Sequence, residues 1–124
     1  MAFTASGLSR ALILVGAVMA TPLAFAHAHL KTQSPAANSQ VTTAPSTLTL
    51  NFSEGIEPKF SGLTLTDAQK QAVKTGTATR SEQDKAQLIV PLEQPLPSGE
   101  YTVDWHVVSV DGHKTRGTYT FSVK

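Results

Sequence analysis

Tyr101-Thr102-Val103-Asp104-Trp105-His106-Val107 decides the architecture. Tyr101, Val103, Trp105 and Val107 fall on one side of an extended chain and Thr102, Asp104 and His106 on the other, the period of two that marks a strand with one buried face. Trp105 is the one tryptophan of the chain, and its place in the apolar set makes it a core anchor rather than a ring for stacking a ligand. His106 shares the polar face with Asp104 and reads as a surface cross-strand partner. A few residues further the strand gives way to a polar turn, Asp111-Gly112-His113.

The same alternation recurs on both sides of this stretch. Thr47 to Phe52 places Leu48, Leu50 and Phe52 on one face, Ser61 to Thr66 repeats the pattern, Leu88-Ile89-Val90 is a short apolar run limited by Pro91, and Thr118 to Val123 buries Tyr119, Phe121 and Val123. Turn signals punctuate these runs at Ser34-Pro35, Asn38-Ser39, Ala44-Pro45-Ser46, Glu57-Pro58 and Pro97-Ser98-Gly99. Short strands without intervening helices imply an all-β, antiparallel sandwich of about seven strands. The segment from Asp67 to Lys85 is the least patterned: Gln71 to Arg80 reads as an edge strand or an exposed loop, and Asp67 to Val73 has a weak helical reading.

The N-terminus has the shape of a secretory signal. Arg10 is the only charge before Lys31, the apolar run Ala11 to Ala20 follows it, and Ala24-Phe25-Ala26 is a small-x-small cleavage site. The run is too short to span a bilayer. Cleavage after Ala26 leaves residues 27–124 as a single domain beginning at His27. There is no cysteine, so an exported chain of this kind has no disulfide and relies on packing. Both methionines, Met1 and Met19, lie in the signal, which removes the soft sulfur donors that favour Cu(I). Ten Lys and Arg stand against nine Asp and Glu, and loss of Arg10 balances them. No basic surplus points to nucleic acid.

After cleavage His27 offers an α-amine and an imidazole from one residue, and an α-amine with an ordinary pKa of about 7.7–8.0 yields its proton to a metal at modest cost near neutral pH. With the imidazole of His113 and the carboxylate of Asp111 the set becomes three nitrogens and one oxygen, a tetragonal donor set of the kind Cu(II) favours. A sandwich permits the N-terminus and the turn after the Trp105 strand to open on the same end. Taken alone, Asp111-Gly112 is equally an ordinary turn in which Asp111 bonds its own backbone. His29 allows a different arrangement, in which the amine, two deprotonated amides and its imidazole wrap the ion, at the expense of early strand pairing. A supporting role for His29 is the simpler expectation. Glu54 and Glu57 have no nucleophile beside them and read as solvated loop residues.

The stretch from His27 to Lys124 resembles the periplasmic copper-binding CopC family, most closely its short YobA-type members. The resemblance rests on His27-Ala28-His29-Leu30, Ser34-Pro35-Ala36-Ala37-Asn38-Ser39, Leu50-Asn51-Phe52-Ser53-Glu54, and Tyr101-Thr102-Val103-Asp104-Trp105 continuing to Asp111-Gly112-His113. It implies a Greek-key sandwich of immunoglobulin-like shape, one Cu(II) per chain held by His27, Asp111 and His113, a monomer in the periplasm, and a CopD-like inner-membrane copper transport protein as partner. Founding members of the family carry a Met-rich Cu(I) loop, which would fall near Asp67 to Lys85, where this chain has no Met.

Two other functions compete. An N-terminal histidine chelate plus a second histidine is similar to the copper brace of oxidative polysaccharide-cleaving enzymes, but Asp111 would fill the position that a catalytic metal keeps open. A metal-free immunoglobulin-like interaction module is the third class, since fold alone does not decide function. The expectation is a protein that binds Cu(II) without turnover.

Overall fold

The structure, a computed structural model, describes residues 28–124. The expected signal segment 1–26 and His27 lie outside the described residues. Among the described residues nine strands follow in order: β1 (Leu30–Ser34), β2 (Gln40–Val41), β3 (Thr47–Phe52), β4 (Gly62–Thr66), β5 (Ala72–Val73), β6 (Thr79–Arg80), β7 (Gln87–Pro91), β8 (Gly99–Val108) and β9 (Lys114–Val123), with a 3-10 turn at Pro58–Phe60. They form two sheets, one ordered β1-β3-β7-β6 and the other β2-β9-β8-β4-β5.

The long β8–β9 hairpin is the backbone of the larger sheet, antiparallel from Gly99↔Val123 to Val108↔Lys114. Alternation along β8 falls as the sequence dictates: Tyr101, Val103, Trp105 and Val107 are buried, while Asp104 and His106 are exposed. Leu48 and Leu50 of β3 and Leu88 and Val90 of β7 face them from the other sheet, all at most 1% exposed. Burying each such side chain contributes about 1.5–3 kcal/mol. The sheets interlock where Phe52 meets Trp105 edge-on, with ring centroids 5.2 Å apart and planes at 65°. Trp105 lies directly across from Gly117. A Cβ at Gly117 would sit 2.6 Å from the indole, so only glycine lets the ring lie flat against β9. The Tyr101 hydroxyl donates to Pro97 O at 2.6 Å and pins the turn before β8, as tyrosine corners do in immunoglobulin-like sandwiches.

The chain departs from the sequence expectation in three places. There are nine strands rather than about seven, because β2, β5 and β6 are two-residue pairings too short to leave a periodic trace. The sheets are not wholly antiparallel: β2 runs parallel to β9, with Gln40↔Ser122 and Val41↔Val123. Asp67 to Val73 is not a helix but a turn leading into β5. Asp67 Oδ1 accepts the N–H groups of Gln69 and Gln71, each at 2.9 Å, and Lys70 takes a positive φ of 65°. A carboxylate that captures nearby amides in this way competes with helical hydrogen bonding.

Candidate metal centre

The hairpin loop between β8 and β9 is closed by backbone bonds. Ser109 N–H donates to His113 O at 2.9 Å and Gly112 N–H to Ser109 O at 2.8 Å. Gly112 supplies the left-handed φ of 92° that the turn needs. Val110 N–H donates to Gly55 O at 3.0 Å, fastening the loop to the segment between β3 and β4.

Closure brings Asp111 and His113 together, with Asp111 Oδ1 3.1 Å from His113 Nδ1 and their side chains 41% and 45% exposed. Two donors at right angles on one first-row ion, each bonded at about 2.0–2.1 Å, stand roughly 2.9 Å apart. The observed separation is that of a hydrogen-bonded pair and lies close to that value. Ser109, completely buried, donates its hydroxyl to Asp111 Oδ1. That bond first, and His113 second, hold the Asp111 carboxyl below the usual carboxylate range.

Among the described residues no group of three or more His, Cys, Asp or Glu is placed to hold a metal ion. Asp111 and His113 bring two donors together, and the start of the described chain lies near them. Ala28, 1% exposed, has its carbonyl hydrogen-bonded by Thr115 Oγ1 at 3.0 Å. Thr115 lies two residues beyond His113, so the first described residue of the chain is fastened to the strand that leaves the loop. His29 is exposed. Its N–H donates to Ser53 Oγ at 2.8 Å and its carbonyl accepts Ser53 N–H at 2.8 Å, so the backbone is already paired at the mouth of β1.

The other sequence candidates separate from this cluster. His106 stands exposed on the outer face of β8, in register with Gly62 and Arg116. It lines a groove of about 740 Å³ with Phe60, Lys114 and Arg116, to which neither Asp111 nor His113 contributes. Glu54 and Glu57 are half-buried rather than fully solvated, and Glu57 N–H donates to Val108 O at 2.8 Å. Sequence reasoning missed Ser109 and Thr115. A serine two residues before an Asp-Gly turn is a signal for Ser109. Nothing local marks Thr115, whose partner lies 87 residues away.

The CopC domain matches residues 30–124. The chain belongs to the CopC family. It is 59% identical over 124 residues to protein YobA of Escherichia coli strain K12, covering the whole of both chains. Among solved structures, PcoC of Escherichia coli, described as a methionine-rich copper resistance protein, is 39% identical with a TM-score of 0.72 over 80% of this chain and 100% of that one. CopC from Methylosinus trichosporium OB3b is 31% identical with a TM-score of 0.74, over 79% of this chain and 94% of that one. The CopC-family chain parts from PcoC in one respect: its two methionines, Met1 and Met19, both precede the matched region.

Proposed function

We propose that this CopC-family chain is a periplasmic Cu(II)-binding protein that sequesters or carries copper for copper homeostasis, one ion per chain, after a signal peptide is removed behind Ala26. The donors are the α-amine and imidazole of His27, the imidazole of His113 and the carboxylate of Asp111. The observation that carries this reading is the hydrogen bond from Thr115 to Ala28 O. His27 is bonded to Ala28, and consecutive Cα atoms lie about 3.8 Å apart, so cleavage behind Ala26 would create a free amine one residue from the Ala28 that Thr115, two residues past His113, holds. Wrapping of the ion by residues 27 to 29 is disfavoured, because it would take His29 N–H from Ser53. His29 is left a supporting role. Relatives named for copper resistance and copper transport support copper as the cargo, and none of them is named for a reaction. Binding without turnover fits those names, and the further reading is a monomer with a CopD-like inner-membrane transport protein as its partner. The missing methionines favour Cu(II) over Cu(I).

The test is a Cu(II) titration of chain beginning at His27 against chain carrying one extra residue before it. Tight binding should be lost on extension, since the amine becomes an amide. Equal affinity for the two overturns the terminal-amine site. Electron paramagnetic resonance of the Cu(II) form should change with His113→Ala and persist with His29→Ala. Affinity should fall steadily from neutral pH to about pH 5, because the nitrogen donors must be deprotonated to bind. Asp111, already held ionised, contributes little to that fall.

A further inference from the structure

We infer that Ser109 is a positioning residue that sets the Asp111 carboxylate and the His113 backbone in place before metal arrives. The inference rests on the Cu(II)-binding reading above and adds a residue that neither the donor chemistry nor the family resemblance assigns. Five contacts converge on this one residue. Its hydroxyl donates to Asp111 Oδ1 and accepts His113 N–H at 3.2 Å. Its N–H donates to His113 O at 2.9 Å, its carbonyl accepts Gly112 N–H at 2.8 Å, and its backbone bridges to Ile56.

A serine hydroxyl has one proton to give and two lone pairs to receive. The proton goes to Asp111 Oδ1, a charged and nearer acceptor than His113 O at 3.3 Å. The received bond fixes the backbone on which the His113 side chain is built. Ser109 is 0% exposed, so no water competes for these bonds. The other bonds that close the loop run through backbone atoms, and the Asp111 carboxylate has both Ser109 and His113 as partners. Partners that orient metal ligands typically change affinity by about 10–100-fold when removed.

Chain beginning at His27 is compared as wild type, Ser109→Ala, Asp111→Ala and the double variant, by competitive Cu(II) titration and electron paramagnetic resonance. Ser109→Ala should weaken Cu(II) about 10–100-fold and alter the spectrum, and should cost clearly less in the Asp111→Ala background, where only its hold on His113 is left to lose, since contacting residues are non-additive. An equal loss in both backgrounds marks a merely structural effect and overturns the inference, as does no loss at all. Ser109→Thr, which keeps the hydroxyl, should bind as wild type does; weakening as severe as that of the alanine variant also overturns it. Metal-free wild type supplies a measurement that needs no variant: three-bond couplings should report a single χ1 rotamer for Asp111, and rotamer averaging would refute the positioning role. Wild type that ignores Cu(II) defeats the copper reading instead, and the coupling measurement still decides the role of Ser109.

Discussion

A buried hydroxyl without a partner is a standing cost, and Tyr119 carries one. It is 8% exposed, and its Oη has no hydrogen-bond partner among the described residues. Tyr119→Phe should leave the fold intact and stabilise it by up to about 1–3 kcal/mol, the desolvation penalty of such a group, read by thermal unfolding. Burial also pushes the Tyr119 phenol up to about 12. Because the folded pKa lies above the ordinary value of about 10, the unfolded chain ionises first, and stability drains away as pH rises from about 10 toward 12. The Phe variant should lose less stability than wild type over that window. If the two decline in parallel above pH 10, the alkaline loss lies elsewhere, and Tyr101, also raised by burial, is the next candidate. At this scale Asp111 and His113 were legible in the sequence because two unlike donors flank a turn-forming glycine. Ser109 was not singled out, because its place two residues before Asp-Gly is a weak signal until the loop is seen to fold back onto the hydroxyl.

The elements depend on one close approach between neighbouring strands. Gly117→Ala would place a Cβ 2.6 Å from Trp105 Cζ2 and 2.9 Å from Cε2, against a ring already engaged with Phe52. Overpacking of this kind costs about 1–3 kcal/mol, and a domain of this size loses roughly 4–8 °C of Tm per kcal/mol. The shift should appear in the metal-free protein; a variant that melts with wild type would mean that the indole has room to move. The strands that carry the core were readable because five or more alternating residues record which face is buried, as in Thr47 to Phe52 and Tyr101 to Val107. β2, β5 and β6 were not, since two residues cannot display a period. The parallel pairing of β2 with β9 was equally hidden, because it joins segments some eighty residues apart and depends on how the sheets close.

The whole molecule has no cysteine, so its two sheets are held by packing and by the few polar contacts that cross between them. The bond from Thr115 to Ala28 is one of these, joining β9 of one sheet to the residue leading into β1 of the other. On the proposed reading, metal binding and sheet closure are linked. At a free Cu(II) concentration about 100 times Kd, binding adds about 2.7 kcal/mol to stability and should raise Tm by a measurable step in chain beginning at His27. Thr115→Val keeps the side-chain volume but leaves Ala28 O without its donor, and should shrink that step. A full step in Thr115→Val would separate the terminus from the site. Strand β1 lies at the edge of its sheet, paired on one side only through Leu30↔Phe52 and its neighbours. Edge pairings and chain ends open most readily. If the terminal donors of the proposed site are right, the residence time of a bound ion would be set by the fraying of a few residues around Ala28: when this end of the strand peels from β3, two of the three nitrogen donors would depart together. Release would then be a mechanical event at one edge of the sheet.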